Sequence, residues 1–281
     1  MKIQLSIALA VVTSASASMA QAQSGADILL RSDVQFQPLN PARGDASPKA
    51  GVLWGDIKKD VPSGAIIEFT DGFSSPPHIH NITYRGVVIE GFVHNDDPDA
   101  ENMWMGPGSF WTQPAGETHI TAASNGGATI FLEILEGPYL VQPSSEAFAT
   151  DERPINLDAS NVIWLNSADM RRIEHADAAA RTDEPEMTYL WGSPREGELN
   201  GSLIKLPAGG KAELNGNGAQ LHAVIIKGDT SHQLSSDAQS ETLPVGSYFG
   251  SAEEARHQLI CESEEECLVY VRTEGAYELA L

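Results

Sequence analysis

The chain has 281 residues, with 17 Lys and Arg against 39 Asp and Glu, and a formal net charge of −22. Phosphate neutralisation takes clustered cations, so this balance argues against a nucleic-acid partner and against an anionic membrane surface, and it reads as a solubilising surface. The length suits one or two domains.

In chain order, the N-terminus comes first. Lys2, the apolar run from Ile7 to Val12 and the small-residue site Ala20-Gln21-Ala22 make up the three parts of a secretory signal peptide over residues 1–22. The mature protein is expected to begin near Gln23 and, in a Gram-negative cell, to be periplasmic. No later segment approaches the ~20 apolar residues that a membrane helix needs.

Short apolar runs follow, punctuated by Gly, Pro, Asn and Asp at intervals of about ten residues, the pattern of a β-sandwich or barrel rather than a βαβ fold. GAIIEFT, GVVIEGFV, SFWTQ and ATIFLEIL are the strands expected in the first half. GSLIKL, HAVIIKG, SYFGS and CLVYVRT are those of the second. One helix is expected, from Ser167 to Arg181, with Ser167 as its cap.

The halves repeat. VLWGD at 52–56 recurs as YLWGS at 189–193, an offset of 137, and at that offset Gly64 meets Gly201 and Gly91 meets Gly228. After a one-residue insertion Gly108 meets Gly246 and His119 meets His257. Self-similarity at a fixed offset means a duplicated structural unit. The boundary falls in the polar TDERPINLDAS, giving domains of residues 23–155 and 156–281.

Cys261 and Cys267 flank a polar loop and read as facing each other across a hairpin. A disulfide is expected in an oxidising compartment, free thiols being the alternative. Ala123 and Thr129 occupy the matching positions of the first half, around an Asn125-Gly126-Gly127 turn.

The chemistry lies in the first half. Gly72, His78-Ile79-His80 and Gly91, then Gly108, Pro114, Gly116 and His119, fall in the spacing G-(x5)-H-x-H and G-(x5)-P-x-G-(x2)-H. Two residues apart on a strand, His78 and His80 project from one face, and a turn would bring His119 in from elsewhere. Three imidazoles with open positions suit a catalytic metal site. The alternative is a polar strand end and an unrelated turn residue.

This pattern resembles the paired motif of the cupin superfamily. The resemblance implies an all-β fold, two tandem double-stranded β-helix (jelly-roll) domains, with a metal in the first. Proteins of that superfamily often dimerise, so a homodimer is one expectation by analogy, with the oligomeric state left open by the residues themselves. The family's glutamate is missing, because Tyr84 and Arg85 stand at its positions. Either three histidines alone hold the metal, or Glu117 adds a carboxylate. Arg85 would anchor an anionic substrate beside the metal if it pointed inward, or would pair with Glu68 or Glu90 at a strand edge. Tyr84 and Glu117 are the proton-transfer candidates.

In the second half Asn215 and Asn217 replace His78 and His80, while His222 stands opposite Arg85. That half is expected to bind no metal, though His222 and His257 facing one another could hold a ligand. His94, His175 and His232 read as surface residues. The functional expectation is a secreted bicupin holding one divalent ion (Fe, Zn, Mn or Ni), a mononuclear metalloenzyme of dioxygenase, lyase or isomerase type acting on a small anionic molecule. The alternative is a non-catalytic cupin that binds or senses a small molecule or sugar.

Overall fold

Runs of β-branched and aromatic residues broken every few positions by Gly or Pro leave strands as the main way to satisfy the backbone, and strands dominate the structure. The computed structural model describes residues 26–280, apart from 168, 170–172, 175–183, 217–219, 237, 238 and 253. The signal-peptide segment, His175 and Asn217 lie outside the described residues. So does most of the segment expected as a helix. Its described residues are instead Ser167 and Asp169 in a turn and the strand Ile173–Glu174, which pairs in parallel with Glu278–Ala280. Tertiary pairing there overrides a helical propensity that was only local. Among the described residues, no helix is long and apolar enough to cross a membrane.

The first half forms a seven-stranded sheet in the order Ile155–Leu157, Phe110–Gln113, Tyr84–Asp96, Ile120–Ile134, Ser63–Phe69, Lys49–Trp54 and Phe36–Pro38. A two-stranded sheet, His78–His80 with Val141–Pro143, accompanies it. The second half forms two six-stranded sheets. One runs Asp27–Leu29, Tyr248–Ser251, Leu221–Lys227, Cys267–Glu274, Leu199–Leu206 and Glu186–Gly192. The other runs Ile173–Glu174, Glu278–Ala280, Lys211–Asn215, Arg256–Cys261, Thr230–Leu234 and Glu241–Leu243. The halves exchange their leading strands: Asp27–Leu29 edges Tyr248–Ser251 of the second, and Ile155–Leu157 edges Phe110–Gln113 of the first.

The sequence repeat is a backbone repeat. Gly91 and Gly228 sit at φ +74° and +72°, a conformation other residues rarely adopt. The Trp54 and Trp191 rings lie so close over Gly64 and Gly201 that a Cβ at either glycine would come within 2.2 and 2.0 Å of them.

Cys261 and Cys267 are disulfide-bonded, but no hairpin joins them. Arg256–Cys261 and Cys267–Glu274 belong to different sheets, and the disulfide closes the corner between those sheets. In the first half the matching segment is part of one long strand, Ile120–Ile134. It stays paired to Tyr84–Asp96 through a shift in register and has Gly126 and Gly127 at positive φ.

Three apolar clusters result. One fills each half, and the third lies between them, built from Ile66, Val87, Ile89, Phe110 and Phe131 against Leu203, Val224, Ile226, Tyr248 and Tyr270. Strand alternation does the sorting: Tyr84 and Val88 face the first interior, while Val87 and Ile89 face the other half. The same interface buries an ion pair, Glu133 with Arg272 at 2.8 Å, their side chains 1% and 4% exposed. Tyr270 also donates its hydroxyl to Glu133. Removing one partner of a buried pair strands the other, so Glu133→Gln is expected to lower unfolding free energy by about 3–5 kcal/mol. Replacing both by Leu should recover most of that loss. Urea unfolding of the three proteins measures both effects.

Candidate metal site

Pro76 and Pro77 favour an extended chain into His78-Ile79-His80, and alternation puts both imidazoles on one face with Ile79 on the other. His119 arrives by direct pairing. Its amide donates to the His78 carbonyl and the His78 amide to the His119 carbonyl, both at 3.0 Å. The turn before His119 closes through the Gly116 amide, which donates to the His80 carbonyl at 2.8 Å with Gly116 at φ +75°. The His78 ring centroid lies 4.3 Å from that of His119 and 5.0 Å from that of His80, with His80 and His119 5.3 Å apart. One ring nitrogen from each lies within 4.8 Å of the others, a group able to hold a metal ion.

Each Nδ1 faces a backbone carbonyl: Pro76 for His78 at 2.9 Å, Leu140 for His80 at 2.9 Å, and Glu117 for His119 at 3.1 Å. A carbonyl only accepts, so each Nδ1 carries the proton and each Nε2 keeps its lone pair. This is how metal-binding imidazoles are held in register. Burial lowers all three pKa values. His80 falls well below 6.5, with His119 and His78 adding to the effect, and His119 falls to about 3. The neutral, metal-binding form is therefore the resting one.

Of the other sequence candidates, Tyr84 joins the site and Arg85 does not. The Tyr84 hydroxyl donates to Asn95 Oδ1 at 2.8 Å and lies 3.3 Å from His119 Nε2; burial raises its pKa to about 12. Arg85, next along the strand, must face the opposite way. It stacks over Trp191 of the second half at 4.3 Å, so it anchors nothing beside the histidines. Glu117 acts through its backbone carbonyl, while its partly exposed carboxylate is not grouped with the imidazoles.

Sequence reasoning missed the surrounding polar network. Asn95 Oδ1 also accepts from Thr121 Oγ1 at 2.7 Å, and the Asn95 amide donates to Gln113 Oε1 at 2.9 Å. Gln113 in turn donates to the Glu117 carbonyl at 3.3 Å, tying the network to the turn that holds His119. Tyr139 was missed as well. Its ring stacks on His80 at 4.3 Å, with its hydroxyl 3.2 Å from His80 Nε2. No local spacing in the sequence pointed to either.

His94 and His232 are buried, 1% and 2% exposed, not surface residues. His222 and His257 do not face one another. His222 points between the halves, stacked on Trp54 at 4.6 Å, as Arg85 stacks on Trp191. His257 points into the second barrel, 2.9 Å from His232 Nε2 and 3.1 Å from Ser251 Oγ. Among the described residues no metal-holding group forms there.

The fold is the cupin jelly roll, and solved structures share it. A candidate dioxygenase from Nostoc punctiforme superposes with a TM-score of 0.63 at 14% identity, over 90% of this chain and 84% of its own. Oxalate decarboxylase from Lactobacillus farciminis, solved with formate, gives 0.55 at 10% identity over 90% and 87%. The 7S globulin of Momordica charantia gives 0.55 at 12% over 90% and 85%. No curated protein matches the sequence. The chain belongs to the family described as a domain of unknown function, DUF4437, whose model it matches over residues 27–280.

Burial holds the His257 pKa down to about 3, with His232 beside it adding to the shift, against 6.5 unperturbed. The unfolded chain therefore binds the proton first, and stability present above pH 6.5 is lost as pH falls towards 3. In His257→Gln the fall in urea midpoint between pH 6.5 and 4 should be shallower than in the wild type. Parallel curves would show that His257 is not held neutral.

Proposed function

We propose that this protein is a metal-binding cupin in which His78, His80 and His119 hold one divalent transition ion, with open positions that take a small molecule. The observation that carries this reading is the common anchoring: a backbone carbonyl faces each Nδ1, which assigns the proton to Nδ1 and leaves the three Nε2 lone pairs for the ion. Imidazole donors suit Fe, Zn or Ni; Mn remains in the set under test. The bound ion would supply Lewis acidity or redox chemistry. The protein's own residues would fix the imidazoles and, through the apolar first barrel, exclude water.

A mononuclear metalloenzyme of dioxygenase, lyase or isomerase type is the form we favour, and two of the structural neighbours are a candidate dioxygenase and an oxalate decarboxylase. The substrate class follows from charge. Three neutral imidazoles leave a divalent ion uncompensated in a buried site, so a small anion is drawn to the ion itself and needs no arginine. The disulfide favours export, in keeping with the leader-like N-terminus.

Elemental analysis of the purified protein tests the reading. About one transition metal ion per chain is expected, with His78→Ala or His119→Ala losing affinity at least 10-fold, the scale on which weakened metal shells respond. A metal-free wild type that takes up none on reconstitution would sink the proposal. Stoichiometric metal without turnover of any small acid, with and without oxygen, would point to the binding role instead. Arg85→Ala should leave metal content unchanged, whereas an arginine serving the site would alter anion affinity.

A further inference from the structure

Two tyrosines touch the three histidines, and counting donors separates them. The Tyr84 hydroxyl has two acceptors in reach, Asn95 Oδ1 at 2.8 Å and His119 Nε2 at 3.3 Å, and its single proton goes to the nearer, within the Thr121–Asn95–Gln113 network. That arrangement uses no histidine lone pair, so filling the site does not disturb it.

Tyr139 is placed differently. His80 Nδ1 donates to the Leu140 carbonyl, so His80 Nε2 is a bare acceptor, and the Tyr139 hydroxyl donates to it at 3.2 Å. Among the described residues that hydroxyl has no other hydrogen-bond partner. The lone pair it uses is the one His80 would give to a metal ion. Once that lone pair is given away, the Tyr139 hydroxyl is a donor without an acceptor, held beside the ion. It cannot swing clear, because its ring is stacked on His80 with 21° between the planes. Asn81 also clamps the segment on both sides: its amide donates to the Pro138 carbonyl, and its Oδ1 accepts from the Leu140 amide, each at 2.9 Å. A donor left without an acceptor in a partly buried site is disfavoured, and a ligand on the ion's open position would offer it one.

We infer that Tyr139, and not Tyr84, is the hydrogen-bond donor to a small anionic or oxygen-bearing ligand bound at this centre. The inference rests on the metal-binding reading above. The test is to load the full chain with Co(II) and titrate it with azide, following the visible ligand-field spectrum. Tyr139→Phe keeps the stacked ring and should bind Co(II) at wild-type stoichiometry while losing about tenfold in azide affinity, the worth of one hydrogen bond to a charged acceptor. Tyr84→Phe should stay within about twofold of wild type. Equal azide affinity in Tyr139→Phe and wild type overturns the assignment and leaves the metal reading standing, as does an equal loss in Tyr84→Phe. A wild type that takes no Co(II) overturns both.

Discussion

The two-residue alternation of a strand buried on both faces governs most of what this molecule places where. Along Tyr84–Asp96 the first residues send Tyr84 and Val88 into the first barrel, and Val87 and Ile89 against the second half. Shifting such a strand by one residue would exchange its entire set of side chains. Arg85 therefore has no choice of partner: with Tyr84 inside, it lies on the face that meets Trp191. Leu221 and His222 obey the same parity, the first inside its barrel and the second against Trp54.

That sorting divides the chemistry into two kinds. The interior of the first barrel keeps neutral groups, imidazoles anchored by carbonyls and amides anchored by hydroxyls. The ionised pair Glu133 and Arg272 lies between the halves. A pocket of fixed neutral donors is pre-organised, because each imidazole is oriented by backbone that the fold already requires. None of the three imidazoles has to be reoriented to present its lone pair.

Much of this was legible in the sequence, for a physical reason. The duplicated unit showed because Gly91, Gly228, Gly64 and Gly201 answer to backbone angle and ring contact, which leave no alternative residue. His78, His80 and His119 showed because a strand and a tight turn carry fixed spacings. What stayed hidden depends on long-range pairing. Tyr139 meets His80 across 59 residues, and no local spacing encodes that contact. The direction of Arg85 needed the parity of a strand whose two faces are both apolar, so hydrophobicity alone did not say which face was inner. The cysteines suggested a hairpin because a short polar loop looks alike whether it turns within a sheet or carries the chain to the next one.

The interface also gives a physical reason for a twin without the ligand set. Glu133 pairs in register with Arg85 and Gly64, and Arg272 with His222 and Gly201, so the two are counterparts by strand pairing, one residue beyond the sequence offset of His119 and His257. They meet each other, as the counterparts Phe131 and Tyr270 do with centroids 4.9 Å apart. Such self-matching contacts are the mark of a two-fold interface. Two identical halves would set like charge against like at the first of these positions, which is costly when buried. Divergence of the halves removes that conflict and makes each the specific partner of the other. The exchanged strands Asp27–Leu29 and Ile155–Leu157 add to the pairing. A second barrel that presents Arg272, Tyr270 and Trp191 thus covers the outer face of the strands carrying Tyr84 and Glu133, whether or not its own interior binds anything.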